Sequence, residues 1–339
     1  MSGPGDALDV GVVASAPGKL ILTGEYAVLD GAPALVIAVD RRVTARLAAS
    51  GEATGASPFL TAVAEELARR GLAHAATAAR RVLVDSTALY EGATKLGLGS
   101  SAAVTVAATA LALAASAARG GAGLDRAQVL AIAAAAHAAA QGAKGARGSG
   151  ADIAAATLGG VLEFVVAERG EGAAPRVTRR AWPTGVRLIP FFTGTAADTV
   201  TLVAAVTAAR ARDRVAVDAA LAAVTTASRT ACAACAAPPA LAATALLGAL
   251  ALAAHATDRL AAATGVPLVP GCVTAARAAL AALGGTAKTT GAGAGDIGIA
   301  VLPVTADVSE ATRALIQAGC QPLSLRLDET GVDLNPIAS

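Results

Sequence analysis

Residues 95–103, KLGLGSSAA, carry the strongest signal for the fold. The glycines let the backbone approach a ligand closely, and the apolar run that follows predicts a helix over 100–118. The first turn of a helix offers free N–H groups and the positive end of the helix dipole, which together bind phosphate. One of the two serine hydroxyls can also reach a magnesium ion. We therefore expect a phosphate-binding loop here, with an ordinary helix cap as the structural alternative.

Two other nucleotide-binding patterns do not fit this stretch. The letters G-x-G-S-S-A imitate the dinucleotide fingerprint, but residues 87–95, TALYEGATK, are not a buried strand and no βαβ unit follows them. The pattern G-x-x-x-x-G-K-[ST] does not occur in the chain, which excludes a Walker-type site.

Two further segments combine glycine with lysine. Residues 288–296, KTTGAGAGD, run into a predicted strand, and glycines at this density favour a tight turn or a close approach to a ligand. An ordinary glycine hairpin is the alternative. Residues 15–20, SAPGKL, place Lys19 at the start of a strand after a Pro-Gly turn. Taken singly, such a lysine is more typical of a solvated surface.

The pattern around these segments predicts an α+β fold in two domains. Residues 10–47 alternate short apolar runs with turn signals, which indicates a strand-rich opening with a hairpin at Asp30-Gly31. Residues 170–180 are rich in Gly, Pro, Arg and Glu and mark a linker or a long hairpin loop, so we expect domains at 1–180 and 181–339. The predicted helices are 58–70, 100–118, 125–141, 151–158, 196–210, 213–236, 241–263, 274–283 and 309–318. The predicted later strands are 81–84, 160–166, 187–192, 297–303 and 322–327.

Composition excludes several classes of function. The 339 residues include 27 Lys plus Arg against 25 Asp plus Glu, so no global field attracts nucleic acid or an anionic membrane. Aromatic residues make up only 2%, which argues against a base-stacking platform. Residues 96–118 and 230–257 lack charge for longer than a membrane helix needs. The first is poor in Leu and Val and the second contains Pro238-Pro239, so both predict buried helices of a soluble protein.

The N-terminus shows no charged-then-apolar signal segment, and we expect a cytoplasmic, reduced protein. Cys232 and Cys235 form a C-x-x-C pattern without a partner pair and without a preceding strand. Core packing is therefore favoured over zinc or redox chemistry.

The order of the three segments, PGKLILTGEYAVLDG, GLGSSAA and KTTGAGAGD, resembles the GHMP small-molecule kinases over residues 15–301. The resemblance implies an N-terminal domain like ribosomal protein S5 domain 2 and a C-terminal ferredoxin-like α/β sandwich. The segments AHAAAQG (136–142), GSGADIAAATLGG (148–160) and TGTAADTVTLVAAV (193–206), together with GAGAGD, are similar to the phosphomevalonate kinase branch. That similarity implies ATP-dependent phosphorylation of mevalonate 5-phosphate in the mevalonate route to isoprenoids. It also implies Mg²⁺ as cofactor and a cytoplasmic monomer or homodimer.

The resemblance carries site roles onto matching positions. The implied catalytic residues are Lys19 and Asp152, and the implied metal ligand is Ser101. The implied ATP-binding residues are Lys95, Gly97, Leu98, Gly99, Ser100, Ser101 and Ala102. The implied substrate-binding residues are Lys19, Tyr26, Ser149, Gly150, Thr290, Gly291, Ala292 and Gly293.

The chain departs from the family pattern at several positions. Gln141 ends the helix on which mevalonate kinases carry a magnesium-binding Glu, and Asp198 stands where relatives often have a small hydroxyl residue. An acid at that position would repel a phosphorylated substrate if it faced the pocket. Lys144 and Arg147 either hold a phosphate or lie as surface charges.

Three alternatives to the leading function stay open. The first is a mevalonate kinase or another alcohol-phosphorylating member, in which Asp152 would be a general base. The second is a diphosphomevalonate decarboxylase, which shares the fold and the ATP loop. The third is a non-catalytic nucleotide-binding module. The histidines His74, His137 and His255 share no metal-like spacing and are expected to be structural.

Overall fold

The computed structural model describes residues 11–55, 57–117, 124–143, 145, 148–167 and 174–336. Within these ranges the chain forms two main antiparallel sheets, each packed against helices, and one short hairpin. The predicted α+β fold class is confirmed.

The first sheet is centred on two long strands, β1 (Val12–Thr23) and β2 (Ala34–Leu47), which pair antiparallel. The other strands of this sheet are β3 (Val82–Asp85), β6 (Val161–Val165), β7 (Arg176–Arg180) and β12 (Asp333–Pro336). The strand order is β12-β1-β2-β6-β7, and β3 pairs with β2 beside that path. A separate hairpin of β4 (Tyr90–Glu91) and β5 (Thr94–Lys95) precedes the glycine loop.

Five helices pack with this sheet or with one another: α1 (Pro58–Arg69), α2 (Ala73–Ala79), α3 (Ser100–Ala117), α4 (Arg126–Gly142) and α5 (Ala151–Leu158). The central one is α3, which is apolar on all sides, as expected for a helix enclosed by the core. Thr105 and Thr109 satisfy their buried hydroxyls by donating to the carbonyls of Ser101 and Thr105. By length and composition α3 could span a membrane, but 72% of it is buried inside the protein.

The second sheet has the order β11-β8-β10-β9. Its strands are β8 (Val186–Phe192), β9 (Thr286–Thr289), β10 (Ile297–Pro303) and β11 (Gln321–Pro322). The helices of this half are α6 (Thr199–Arg212), α7 (Arg214–Ala234), α8 (Pro239–Thr264), α9 (Gly271–Leu280) and α10 (Val308–Gln317). The second helix that could span a membrane by length and composition is α8, whose most apolar stretch is 44% buried.

The C-x-x-C pair lies at the end of α7, inside the core. Both thiols are free, and burial raises the pKa of Cys232 to about 12 and that of Cys235 to about 11. These cysteines therefore stay protonated at neutral pH and behave as small apolar residues.

The structure corrects several local predictions. The segment before Asp30-Gly31 is a 3-10 helix (Ala27–Asp30) between β1 and β2 rather than a tight hairpin turn. Residues 176–180 of the predicted linker form strand β7, which pairs antiparallel with β6. For these residues the hairpin, and not the linker, is the correct alternative. The last strand, β12, returns to pair with β1 in the first sheet. The domain boundary at 180 stays a prediction. A single boundary there assigns β12 to the second domain, although this strand pairs with β1 in the first sheet.

Buried hydroxyls tie α7 to the first sheet. The hydroxyls of Thr23 and Ser228 lie 2.9 Å apart, and Ser228 donates to the carbonyl of Pro33 at 2.5 Å. This contact joins the two halves of the chain, and residues of all three glycine-lysine segments line a cavity between those halves.

Candidate active site

A cavity of about 600 Å³ lies between the two halves of the chain. Its walls combine residues from β1, the glycine loop before α3, the start of α5, the start of α6 and the loop between β9 and β10. A volume of this size suits a small-molecule ligand. Segments that lie far apart in sequence thus meet at one place.

The glycine loop and Lys19 are packed directly on each other. The backbone N–H of Lys19 donates to the carbonyl of Leu98 at 2.9 Å, and its amine lies 3.5 Å from the carbonyl of Gly97. Gly99 has a φ of +79°, and a Cβ there would lie 3.0 Å from Cε of Lys19. The backbone angle favours glycine here, and a Cβ would also press on the lysine side chain that lies along the loop.

Burial and three charged side chains shift the pKa of the Lys19 amine. Burial lowers the pKa of Lys19, whereas the carboxylates of Asp152 and Asp296 raise it and the nearby Lys95 lowers it. Burial is the largest of these effects, so the pKa of Lys19 lies below its ordinary value, and the two carboxylates oppose that fall. In its charged form the lysine can face an anionic ligand in the cavity.

Ser101 lies in the first turn of α3 and is connected to α4. Its hydroxyl lies 3.2 Å from Nε2 of His137, whose ring stacks on Phe59 with centroids 5.3 Å apart. The side-chain amide of Gln141 lies 3.5 Å from the same His137 nitrogen. On its other side Gln141 touches the next loop, because a Cβ on Gly148 would lie 2.3 Å from its Oε1. His137 thus does more than fill the core.

Asp152 stands in the first turn of α5. The helix is preceded by Gly150, which has a φ of +85°, and the hydroxyl of Ser149 accepts from the N–H of Ala151 at 3.3 Å. A carboxylate in the first turn is favoured by the helix dipole. One Asp152 oxygen accepts from the N–H of Ile153 at 3.0 Å, and the side chain lines the cavity.

The segment after Lys19 contacts the third glycine segment. The hydroxyl of Tyr26 donates to the carbonyl of Ala292 at 2.5 Å. Glu25 forms a buried ion pair with Lys288, whose amine also donates to the carbonyl of Thr289 at 2.6 Å. Burial raises the pKa of Glu25, and Lys288 opposes that rise. These contacts hold the loop between β9 and β10 against the first half of the chain.

The structure brings most of the sequence-predicted residues to the cavity wall. Those on the wall are Lys19, Tyr26, Lys95, Gly97, Gly99, Ser100, Ser101, Ser149, Asp152, Thr290, Gly291, Ala292 and Gly293. Three of the predicted residues are elsewhere: Leu98 and Ala102 are buried in the core, and Gly150 serves as the N-cap of α5. Leu98 therefore contributes its backbone carbonyl to Lys19 rather than its side chain. The individual roles stay predictions.

Asp198 lies on the cavity wall but is engaged by its own helix. Its carboxylate accepts from the N–H of Val200 at 3.1 Å and from the hydroxyl of Thr201 at 2.6 Å, as an N-cap does. These hydrogen bonds lower the pKa of Asp198. Lys144 and Arg147 lie outside the described residues.

The residues on or behind the wall that sequence reasoning missed include Glu25, His137, Asp296 and Phe59. Glu25 and Asp296 stand inside the motifs quoted above, close to residues with predicted roles. Their acidic side chains were the signal that could have identified them as site residues. His137 precedes Gln141 by one helical turn and shares its face of α4, which is the spacing that could have linked the two.

The donors at this site suit a magnesium ion. Ser101 offers a hydroxyl on the cavity wall, and the carboxylates of Asp152 and Asp296 stand on the same wall. Mg²⁺ prefers such oxygen donors together with water and substrate phosphates. Among the described residues no cluster of three or more His, Cys, Asp or Glu could hold a metal by itself. The described residues would therefore supply only part of the coordination of such an ion.

Comparison with known proteins connects this geometry to a family. The family model for the GHMP kinase N-terminal domain matches residues 59–160. A phosphomevalonate kinase from Streptomyces sp. (strain CL190) is 30% identical, over 93% of this chain and 96% of that protein. The chain belongs to the GHMP kinase family. The predicted enzyme class, a phosphotransferase, is confirmed by this membership.

Solved structures share the same GHMP kinase fold. The Lin0012 protein of Listeria innocua superposes with a TM-score of 0.79 at 21% identity and covers 96% of this chain and 99% of its own. Streptococcus pneumoniae phosphomevalonate kinase in complex with phosphomevalonate and AMPPNP superposes with a TM-score of 0.73 at 18% identity. The match covers 93% of this chain and 99% of that protein. L. major mevalonate kinase in complex with R-mevalonate gives 0.62 at 19% identity, covering 90% of each chain.

Proposed function

We propose that this GHMP kinase transfers the γ-phosphoryl group of ATP to the phosphate of mevalonate 5-phosphate, giving mevalonate 5-diphosphate and ADP in the cytoplasm. The observation that carries the proposal is the meeting of Lys19, Ser101 and Asp152 on one cavity wall. The phosphomevalonate kinase relative, which aligns over nearly its whole length, supports the choice of acceptor.

Phosphoryl transfer leaves little covalent work for the protein. An oxygen of the acceptor phosphate attacks the γ-phosphorus, the bond to the bridging oxygen breaks, and ADP leaves. The chain must align the two ligands and stabilise the charge on the transferring group. The glycine loop and the N-terminus of α3 would hold the ATP phosphates. Lys19 lies along that loop and would face both the γ-phosphate and the acceptor.

Ser101 would hold Mg²⁺ together with the nucleotide phosphates. When bound, the ion neutralises phosphate charge and orients the γ-phosphoryl group. The contact with His137 restricts the Ser101 hydroxyl to one side and leaves its other side open to the cavity. A hydroxyl that is held in one orientation suits a metal ligand, because its oxygen must point at the ion throughout turnover.

Asp152 has a positioning role in this proposal. A phosphate monoester, with a second pKa near 6, is already mostly dianionic at neutral pH and needs no strong base. The Asp152 carboxylate opposes the fall in the pKa of Lys19 that burial causes, and so favours the charged lysine beside the acceptor. We expect it to orient the lysine and the substrate more than to remove a proton.

One observation favours the second candidate, a kinase for an alcohol such as mevalonate. Apart from Glu25, which is paired with Lys288, the described wall holds the carboxylates of Asp152, Asp198 and Asp296 against two cations, Lys19 and Lys95. Such a wall is less favourable for two polyanions than for ATP with a less charged acceptor. In that case Asp152 would act as the general base.

A coupled assay distinguishes the two candidates. The purified protein is supplied with Mg-ATP and with mevalonate, mevalonate 5-phosphate or mevalonate 5-diphosphate, and ADP formation is followed. We expect kcat/KM to be highest for mevalonate 5-phosphate. A higher kcat/KM for mevalonate would replace the proposal with the second candidate, and phosphate release from the 5-diphosphate would indicate a decarboxylase.

A further inference from the structure

Tyr26 has a backbone conformation that a bulky side chain rarely adopts. Its φ is +60° and its ψ is −50°. The other described non-glycine residues with a positive φ are Ala294 and Asp296, in the loop between β9 and β10. This is the loop that Tyr26 contacts, so all three residues meet at one side of the cavity. Strain of this kind persists only where the surrounding contacts enforce it, and it is typical of ligand-binding sites.

Two contacts hold Tyr26 in this conformation. The residue before it, Glu25, is fixed by the buried ion pair with Lys288. The Tyr26 hydroxyl donates to the carbonyl of Ala292 at 2.5 Å, across 266 positions of the sequence. Burial raises the pKa of Tyr26 above its ordinary value, so the hydroxyl keeps the proton that this hydrogen bond needs.

Ala292 lies at the tip of a turn whose two ends are anchored within the second half of the chain. At one end, the N–H and the hydroxyl of Thr290 donate to the carbonyl of Ile297 at 3.1 and 2.9 Å. At the other end, the N–H of Ala294 donates to the carbonyl of Leu268 at 2.6 Å. Within the described ranges, the hydrogen bond that the tip receives from the first half of the chain is the one from Tyr26.

The tip presents backbone donors to the cavity. Gly291 and Ala292 lie on the wall, and the described residues provide no hydrogen-bond acceptor for their N–H groups. Successive N–H groups in a turn can bind an anion. The planar peptide group after Ala292 is fixed from both sides, because its carbonyl accepts from Tyr26 and its N–H, on Gly293, donates to Thr290 at 3.4 Å. The contact with Tyr26 therefore helps to set where the donors of the turn point.

We propose that Tyr26 is a positioning residue that shapes the acceptor subsite through its hydrogen bond to Ala292, which we call the latch. This role deepens the proposed function and rests on it, because residues 290–293 are the predicted acceptor-binding loop. A phenol has one hydrogen to donate, and Tyr26 already gives it to Ala292. The hydroxyl therefore acts through the loop and does not donate to the acceptor itself.

The latch decides between two conformations of Tyr26. The strain of a bulky residue at positive φ and the benefit of one buried hydrogen bond are of the same order, so the hydroxyl determines which conformation prevails. Without the hydroxyl, a fraction of the molecules releases the tip, and the apparent affinity for the acceptor falls with the fraction that stays competent. A bound acceptor restores the competent conformation, so turnover at saturation is kept.

The ATP side of the cavity does not depend on the latch. Asp296 ends the same loop and is held by its own hydrogen bonds. Its carboxylate accepts from the N–H of Ala197 at 3.1 Å, and its backbone N–H donates to the carbonyl of Thr195 at 2.7 Å. The carboxylate rests on the ATP loop, because a Cβ on Gly97 would overlap its Oδ2. Release of the tip therefore changes the acceptor side and leaves this contact in place.

The test uses Tyr26→Phe in the full chain, which removes the hydroxyl and keeps the ring. The matched control, Tyr90→Phe, makes the same change at the other tyrosine, which is not on the described cavity wall. For Tyr26→Phe we expect the acceptor KM to rise roughly 3- to 10-fold, with kcat within about twofold of the parent. The dissociation constant of AMPPNP with Mg²⁺, measured by calorimetry without acceptor, should stay within about twofold. Tyr90→Phe should match the parent in all three quantities.

A spectroscopic readout separates the latch from a direct contact with the acceptor. Protein that is isotope-labelled at Cζ of its two tyrosines gives two NMR signals, and Tyr26→Phe identifies the signal of Tyr26. The hydroxyl donates to Ala292 before and after binding in this account, so acceptor should leave the Tyr26 signal close to its position. A large shift on addition of acceptor would show that the hydroxyl passes to the ligand, and it would overturn the inference.

An unchanged acceptor KM in Tyr26→Phe would also overturn the inference. Equal losses of acceptor and AMPPNP binding with a lower melting temperature would do the same, because a purely structural role predicts them. The acceptor for these measurements is the one that the parent uses best among mevalonate and its 5-phosphate. Failure of the proposed function then appears in the parent, as a preference for mevalonate, whereas failure of the latch appears only in Tyr26→Phe.

Discussion

The sharpest structural prediction concerns the buried ion pair behind the cavity wall. Lys288 is fully buried and Glu25 is 4% exposed, and their contact links β9 to the segment that follows β1. Lys288→Met keeps a side chain of similar length but removes the charge. The Glu25 carboxylate is then left buried without a cation, because the described structure gives it no other basic partner.

Removing one partner of a buried pair costs about 3–5 kcal/mol, since the remaining charge is uncompensated. At about 1.4 °C per kcal/mol for a chain of this size, the melting temperature should fall by about 4–7 °C. A double variant that also carries Glu25→Gln should recover part of this loss, because it contains no isolated buried charge. Arg214→Met is the control, because that arginine is exposed and its ion pair with Asp218 lies on the surface.

The loss of stability in Lys288→Met should also depend on pH, and the burial of Glu25 determines whether it grows or shrinks as pH rises. Without Lys288, burial is still the largest effect on this carboxyl, ahead of its backbone hydrogen bonds, and it raises the pKa in the folded state above the unfolded value. A raised folded pKa contributes stability at low pH and loses it as pH rises through that pKa. Thermal unfolding should therefore show a larger deficit at about pH 8 than at about pH 5. A fall of less than about 2 °C at both pH values would refute the reasoning.

Three further predictions concern activity. The Ser101→Ala variant should fold normally, but its kcat/KM for Mg-ATP should be lower by about tenfold or more and its Mg²⁺ requirement higher. Normal turnover of this variant would show that Ser101 serves only as a helix cap. Gly291→Ala should raise the acceptor KM and spare ATP binding measured by calorimetry, since a Cβ there meets no atom within 4 Å and only the φ of +63° is strained. Gly293 is unsuitable for this test, because its Cβ would lie 2.5 Å from the carbonyl of Leu268. Lys19→Met should lower kcat with mevalonate 5-phosphate more than Asp152→Asn does, and the reverse order would make Asp152 a base.

The parts of the fold that sequence predicted are those with local causes. The glycine loop before α3 follows from residues that are neighbours in the chain, and α3 follows from an uninterrupted apolar run. The main helices were predicted for the same reason. Residues 10–47, in contrast, were predicted as short strands separated by turns, and they form the two long strands β1 and β2. Strands β9 and β12 were missed because they are short, and β12 is defined only by its pairing with β1 at the other end of the chain.

The parts of the site that sequence missed depend on contacts between distant residues. Glu25 and Lys288 are 263 positions apart, and nothing near either residue predicts the other. His137 was expected to be structural, because its hydrogen bond to Ser101 arises only when α4 packs on α3. Asp296 was quoted within its motif but was given no role, since its contact with Gly97 requires both halves of the chain.

The central claim is that the phosphoryl group of ATP is transferred to a phosphate, and the product tests it most directly. The protein is incubated with Mg-ATP and mevalonate 5-phosphate, and the products are followed by phosphorus NMR. The account predicts a new pair of mutually coupled signals from a diphosphate ester, which grow at the rate at which ADP appears. ADP formation with inorganic phosphate alone, or a new uncoupled monoester signal, would contradict it.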